Sequence, residues 1–113
     1  MLIELIDLNI INTINNFNKF ITNIPKKSLV LLIKQIINIS NNNGIIYITG
    51  IGKSETIGIN FSNLLKSISI KSFFLNCQNS LHGDIGTINN KDMIIMLSNS
   101  GNTCELLDII DNL

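Results

Sequence analysis

The chain has 113 residues, of which 45% are hydrophobic and 14% are charged, and its eight basic residues balance its eight acidic ones. This composition excludes a disordered or fibrous chain and leaves room for one domain of modest size. Because the formal net charge is zero, no electrostatic surplus attracts nucleic acid or an anionic membrane, and any bound anion needs a local site.

The sequence carries no sign of export or of membrane insertion. Glu4 and Asp7 stand where a signal peptide would carry basic residues, and no apolar run approaches the roughly 20 residues that a membrane helix needs. The two cysteines, Cys77 and Cys104, form no metal-binding pattern, which favours free thiols in a reducing compartment. We therefore expect a cytoplasmic protein with no metal site and no cofactor.

Two helices are predicted before the first strand. An amphipathic helix is indicated by apolar residues at spacings of three and four, namely Ile3, Ile6, Ile10, Ile14, Phe17 and Ile21. Pro25 interrupts this pattern, a second apolar series runs from Leu29 to Ile37, and the polar run at 41–44 ends it. Residues 1–43 are therefore assigned to an N-terminal helical segment.

Strands and helices alternate over the remaining residues, 44–113. The run 45–49 is β-branched without alternation, which is typical of a strand buried on both faces of a parallel sheet. Further strands are predicted at 71–75 and 92–97, and a final helix begins near Thr103.

A helix is also predicted between the first two strands, from about Glu55 to Lys66. Its inward residues are expected to be Ile57, Phe61, Leu64 and Leu65. The alternation implies an α/β fold, a doubly wound, flavodoxin-like parallel sheet with three strands. Three strands are few for this architecture, and the last would present an unpaired edge. We therefore expect a chain that is cut short, with a partial domain over 44–113.

The first candidate site is the glycine turn at 50–54, Gly-Ile-Gly-Lys-Ser. Two glycines let the backbone turn sharply after a strand, and the following helix offers N–H groups and its positive dipole end to an anion. The P-loop motif fails because Tyr47 replaces its first glycine, and the dinucleotide fingerprint fails because Glu55 replaces its third. A plain strand-to-helix turn remains the alternative.

The second candidate is the serine loop, which we define as residues 98–103, Ser-Asn-Ser-Gly-Asn-Thr. It is predicted to join the third strand to the last helix, and ligands of open parallel sheets bind at such carboxyl ends. Its three hydroxyls and the N–H groups of the helix terminus form a neutral cradle for a phosphate. The alternative is ordinary N-capping, for which one Ser or Thr suffices.

The third candidate is His82, the only histidine, in the polar run Leu-His-Gly-Asp at 81–84. It lies between the second and third strands, on the side where the other two loops are expected to gather. Imidazole is suited to proton transfer near neutral pH. A surface or packing role is the alternative, because a lone histidine is more often structural than catalytic.

These motifs together resemble the sugar isomerase (SIS) domain family. The resemblance is carried by Thr-Gly-Ile-Gly-Lys-Ser at 49–54, Phe-Phe-Leu at 73–75, Leu-His-Gly-Asp-Ile-Gly at 81–86 and Leu-Ser-Asn-Ser-Gly-Asn-Thr-Cys-Glu at 97–105. The Gly-Lys-Ser turn combined with His-Gly-Asp is the pattern of the arabinose 5-phosphate isomerases. The two leading helices fit the N-terminal helices of the family.

The resemblance implies an enzyme that interconverts arabinose 5-phosphate and ribulose 5-phosphate, on the route to the eight-carbon acid sugar of bacterial lipopolysaccharide. It implies catalytic roles for three residues: Glu105, or a residue outside this chain, as carbon base, His82 in ring opening and Lys53 on substrate oxygens. A sugar phosphate is the implied partner, in a protein that forms a homo-oligomer. The residues that would hold its phosphate are Gly52, Ser54, Ser98, Asn99, Ser100 and Thr103.

The sequence departs from the family pattern in three ways. Glu55 stands where the family usually has Gly, which places a carboxylate near the expected anion site, and Asn102 replaces the usual Glu of the serine loop. The family's remaining strands and helices, with a second catalytic glutamate and a histidine, would lie beyond Leu113, as would the CBS module that many members append. The alternatives are an inactive, truncated form of the isomerase, a non-catalytic sugar-phosphate sensor and a purely structural oligomerisation piece.

Overall fold

The computed structural model describes all 113 residues, Met1–Leu113. Every helix and strand predicted from the sequence is present, and the parallel α/β class is confirmed. A short helix and a 3-10 helix are additional, in a stretch for which only a polar loop was predicted. In chain order the elements are α1 (Leu2–Asn23), α2 (Lys26–Asn41), β1 (Ile46–Gly50), α3 (Lys53–Ser67), β2 (Ser72–Phe74), α4 (Cys77–Leu81), the 3-10 helix (Asp84–Thr87), β3 (Met93–Leu97) and α5 (Cys104–Asp111).

The chain divides into two compact units, Met1–Leu32 and Ile33–Leu113. In the first unit, α1 buries none of its residues. The predicted apolar stripe of this helix is formed, and its six side chains are between 47% and 74% exposed. Since an apolar stripe on a helix normally faces a core, α1 presents a surface suited to a partner.

The sheet of the second unit is parallel, with the strand order β2-β1-β3. Ile46 of β1 lies opposite Ser72 on one side and Met93 on the other. All five residues of β1 are buried, because this strand has a hydrogen-bonded neighbour on each edge and packed side chains on its faces. The absence of apolar–polar alternation in its sequence is explained by this central position.

The face of α3 that packs on the sheet differs from the predicted one. The buried residues are Gly58, Ser62 and Leu65, whereas Ile57 and Leu64 are 62% and 58% exposed, so their predicted inward orientation is wrong. The reason is the close approach of α3 to the sheet. A side chain at Gly58 would meet the ring of Phe74, so the face of the helix with the small residues packs on the strands. The hydroxyls of Ser62 and Ser72 form a buried hydrogen bond there at 3.1 Å.

A second apolar cluster joins α4 to α5. Its buried members are Cys77, Leu106 and Ile109, and Ile85 and Met96 pack against them. The thiol of Cys77 also lies 3.0 Å from the hydroxyl of Thr49, so α4 is tied to the central strand by a polar contact as well. This cluster holds α4 and α5 beside the carboxyl end of the sheet.

The connection from α2 to β1 depends on Gly44. Its N–H donates to the carbonyl oxygen of Ile39 at 2.9 Å and so closes the end of α2. A Cβ atom on Gly44 would collide with the carbonyl oxygen of Lys91, which belongs to the segment that leads into β3. A larger residue here would push the chain at Gly44 away from Lys91, although the strands that follow these two residues are hydrogen-bonded to each other.

Replacing Gly44 with Ala is expected to lower the free energy of unfolding by about 1–3 kcal/mol, the usual cost of overpacking. The matched control is Gly86→Ala, since no atom lies within 4 Å of its Cβ position, and this change is expected to stay within about 0.5 kcal/mol. Denaturant unfolding of both variants measures the difference. Equal changes in the free energy of unfolding would show that the contact with Lys91 does not determine the loss of stability.

Candidate functional site

The candidate site lies where β1 and β3 end. The two strands are parallel neighbours, and Gly50, the last residue of β1, is paired with Leu97, the last residue of β3. The glycine turn and the serine loop therefore leave the same edge of the sheet side by side. β1 is also the strand at which the order reverses, between β2 and β3, and such a switch point is where open parallel sheets bind ligands.

The glycine turn brings the N-terminus of α3 close to this edge. A Cβ atom on Gly50 would lie 3.0 Å from the backbone of Ser54, so glycine permits the close approach. Gly52 has φ 64° and ψ −125°, a conformation that glycine adopts easily, and it serves as the N-cap of α3. The helix begins at Lys53, two residues earlier than predicted, and no side chain caps it. Its first N–H groups therefore face the site without a side-chain partner.

The serine loop is held by its own hydroxyl groups. The N–H of Gly101 donates to Ser98 Oγ at 2.9 Å, and the N–H of Asn102 donates to Ser100 Oγ at 3.1 Å. Ser98 Oγ also lies 2.9 Å from the hydroxyl of Thr103, and Gly101 has φ 72°. Thr103 is the N-cap of α5 but makes no side-chain hydrogen bond to that helix, so the simple capping alternative is not what is observed.

A cavity of about 170 Å³ lies at the carboxyl end of β1, next to the start of the serine loop, although no residue of that loop lines it. Its walls come from the end of β1, the first turn of α3, the start of α4 and the first turn of α5. Two carboxylates share it, and no Lys, Arg or His is among its lining residues. These are Gly50, Ile51, Glu55, Asn76, Cys77, Gln78 and Glu105.

The predicted catalytic residues are not all brought to this cavity. Glu105 lines it from the second residue of α5, two positions after Thr103. Lys53 is exposed at the first position of α3, and His82 is exposed as the C-cap of α4; neither lines the cavity. The geometry thus places one of the three in the cavity, and the roles of all three stay predictions.

The predicted phosphate-binding residues lie on the two connections that leave the shared edge. Gly52 and Ser54 are on the first, as N-cap and second residue of α3, and Ser54 is half-buried. The other four are in the serine loop: Asn99 and Ser100 are exposed, and Ser98 and Thr103 are half-buried.

The sequence-based prediction missed the wall that α4 contributes. Asn76 is the N-cap of α4, and its side-chain oxygen accepts hydrogen bonds from the N–H groups of Gln78 and Asn79 at 3.0 and 3.1 Å. An Asn before a short run is a helix-start signal, but a helix of five residues is too short for periodicity to reveal. The sequence places the Glu55 carboxylate near the expected anion site, but the spacing of the motifs does not reveal that Glu55 lines this cavity.

None of the helices combines the length and the hydropathy that a membrane span requires. No group of three or more His, Cys, Asp or Glu side chains is arranged to hold a metal ion.

Replacing Ser98 with Ala is expected to loosen the serine loop by about 1 kcal/mol, because the N–H of Gly101 loses its acceptor. Amide hydrogen exchange at Gly101 should become about fivefold faster. The matched control is Ser100→Ala, which should speed exchange at Asn102 and leave Gly101 unchanged. If both variants affect the two amides alike, the loop is not organised by these separate hydrogen bonds.

Comparison with known proteins places this geometry in context. Residues 38–113 match the SIS domain family. Over 75 residues the chain is 37% identical to the arabinose 5-phosphate isomerase KpsF of Escherichia coli, an alignment that covers 66% of this chain and 24% of the relative. It is 36% identical over 67 residues to the arabinose 5-phosphate isomerase KdsD of Pseudomonas aeruginosa, covering 59% of this chain and 21% of that protein.

The fold is also similar to solved structures. A protein of Escherichia coli CFT073 in complex with arabinose 5-phosphate superposes with a TM-score of 0.80 at 29% identity, over 98% of this chain and 57% of that chain. The chain therefore spans a little over half of this structure and less than a quarter of the two curated relatives.

Proposed function

The chain belongs to the SIS domain family, and we propose that it binds a pentose 5-phosphate and interconverts the aldose arabinose 5-phosphate with the ketose ribulose 5-phosphate. The observation that carries this proposal is the pairing of Gly50 with Leu97, which sets the glycine turn and the serine loop side by side. The relatives named arabinose 5-phosphate isomerases support the choice of sugar.

We assign the phosphoryl group to the serine loop. Ser98 Oγ and Ser100 Oγ already accept hydrogen bonds from the loop backbone, and one hydroxyl hydrogen is shared between Ser98 and Thr103. The remaining hydroxyl hydrogens are left to donate to phosphate oxygens. The uncapped first turn of α3 adds backbone N–H groups and the positive end of its dipole. No fixed cation is needed, because a set of oriented neutral donors is sufficient to hold an anion.

We assign the sugar's reacting end to the cavity, where Glu105 lies. In the isomerisation, a base removes the proton from C2 of the open-chain aldose, and the electron pair forms the C1–C2 double bond of an enediol. Return of that proton to C1, with transfer of the hydroxyl proton from O2 to O1, gives the ketose, so no proton or electron is lost. A carboxylate at this position is suited to the C2–C1 transfer.

A sensor without catalysis is the second candidate, and one observation favours it. The serine loop is fully formed, whereas Lys53 and His82 lie outside the cavity that holds Glu105. A sensor needs the phosphate cradle alone, while the isomerase also needs a proton donor for ring opening and a group to stabilise the enediolate oxygen.

Replacing Glu105 with Gln is expected to lower kcat for arabinose 5-phosphate by about 10²–10⁴-fold, since Gln keeps the shape but cannot accept the carbon proton. Glu4→Gln, the same change on the exposed surface of α1, is the control and should leave kcat unchanged. A coupled assay for ribulose 5-phosphate measures turnover.

Binding is measured separately by the rise in melting temperature with arabinose 5-phosphate. A rise that Glu105→Gln retains and Ser98→Ala loses supports the assignment of the phosphate. A rise without turnover in the unmodified chain identifies the sensor, and no rise at millimolar ligand contradicts both candidates.

We also propose that the protein acts in the cytoplasm and as a homo-oligomer. Both cysteines are free thiols, which agrees with a reducing compartment. The exposed apolar stripe of α1 supports self-association.

Replacing Ile10, in the middle of the stripe, with Asp is expected to convert the oligomer to a monomer, because a charge would have to be buried in the interface. The control is Asn12→Asp, which introduces the same charge two residues away, at an exposed polar position outside the stripe. Sedimentation velocity distinguishes the species. A monomeric unmodified chain, or an oligomer that survives Ile10→Asp, would contradict the stripe as the interface.

A further inference from the structure

The cavity beside the serine loop carries a charge pattern that phosphate binding does not explain. Glu55 reaches it from the first turn of α3 and Glu105 from the first turn of α5. Each carboxylate lies near a helix N-terminus, where the dipole stabilises negative charge. With no basic side chain among the lining residues, the cavity is negative while the adjacent loop is a cradle of neutral donors.

We propose that Glu55 is a specificity-determining residue, which makes the cavity accept the hydroxylated end of a sugar phosphate and reject one that carries a carboxylate at C1. This inference rests on the proposed sugar-phosphate site. It concerns which sugar phosphates enter the cavity and in which direction, and it does not require that Glu55 take part in proton transfer.

Hydrogen bonding favours a ligand that carries hydroxyl groups at the end that enters the cavity. An ionised carboxylate only accepts them, and the hydroxyl groups of an open-chain sugar are donors in excess. The side-chain oxygen of Asn76, also in the cavity wall, is already engaged by two N–H groups of α4. Glu55 and Glu105 are the charged acceptors among the lining residues. Hydrogen bonds to a charged acceptor are stronger than hydrogen bonds between neutral groups.

Charge repulsion disfavours a ligand with a carboxylate at C1. Such a ligand would bring a third negative charge to Glu55 and Glu105, which line one cavity of about 170 Å³. Like charges repel, and placing them together is a common way to exclude a wrong ligand. The hydroxylated end therefore enters the cavity, and the phosphate stays at the serine loop.

The experiment uses two probes that do not react and differ only at C1: arabinitol 5-phosphate, which has CH₂OH there, and arabinonate 5-phosphate, which has a carboxylate. Calorimetric titration gives both Kd values for the full chain and its variants. We expect the unmodified chain to prefer the alditol by about tenfold or more. Glu55→Gln should reduce that preference about tenfold by improving binding of the aldonate.

Two variants control for the loss of shape and of net charge. Glu55→Asp keeps the charge and should keep the preference, while Glu4→Gln removes a charge on the exposed surface of α1 and should leave both Kd values unchanged. Circular dichroism melting verifies that each variant is folded.

The titrations distinguish failure of the specificity role of Glu55 from failure of the sugar-phosphate site itself. If both probes bind and Glu55→Gln leaves their ratio unchanged, the specificity role is wrong and the sugar-phosphate site stands. If neither probe binds to the unmodified chain, the proposed function is wrong and this inference is overturned with it.

Discussion

The parallel pairing of β1 with β3 is the constraint on which the candidate site depends. It fixes Gly50 opposite Leu97, so two connections that are about 45 residues apart in sequence start next to each other in space. If β3 lay elsewhere in the sheet, the serine loop would not start beside the glycine turn. β1 is the central strand of the sheet, and all five of its residues are buried.

Small residues decide how closely the elements approach this strand. Gly50 lets the first turn of α3 return onto the end of β1, and Gly58 lets the same helix rest on Phe74. Because these contacts are made by backbone and by ring atoms, they leave little freedom for adjustment. The position of Glu55 between them is therefore set by the packing of α3 as a whole.

The sequence was most informative where a pattern repeats or where a segment is uniform. The apolar spacing predicted α1, and the β-branched run before Gly50 predicted a buried parallel strand. The rotation of α3 was not predictable, because apolar periodicity favours Ile57 and Leu64 while the contact with the sheet selects Gly58 and Ser62. A short helix such as α4 gives no periodic signal at all.

The candidate site was predictable only in part. The glycine turn and the serine loop are runs of consecutive residues and can be recognised in the sequence. Only the tertiary structure could place Glu55 and Glu105 in one cavity and leave Lys53 and His82 outside it.

The shortness of α4 has a consequence for how this protein can change. Five residues cannot sustain a helix by their own backbone hydrogen bonds, so α4 depends on its cap at Asn76 and on the burial of Cys77 against Leu106 and Ile109. The wall that α4 contributes to the cavity is thus shaped by Leu106 and Ile109, which do not line it. The shape of the cavity can therefore change through mutations in the interior, without any change in the residues that line it.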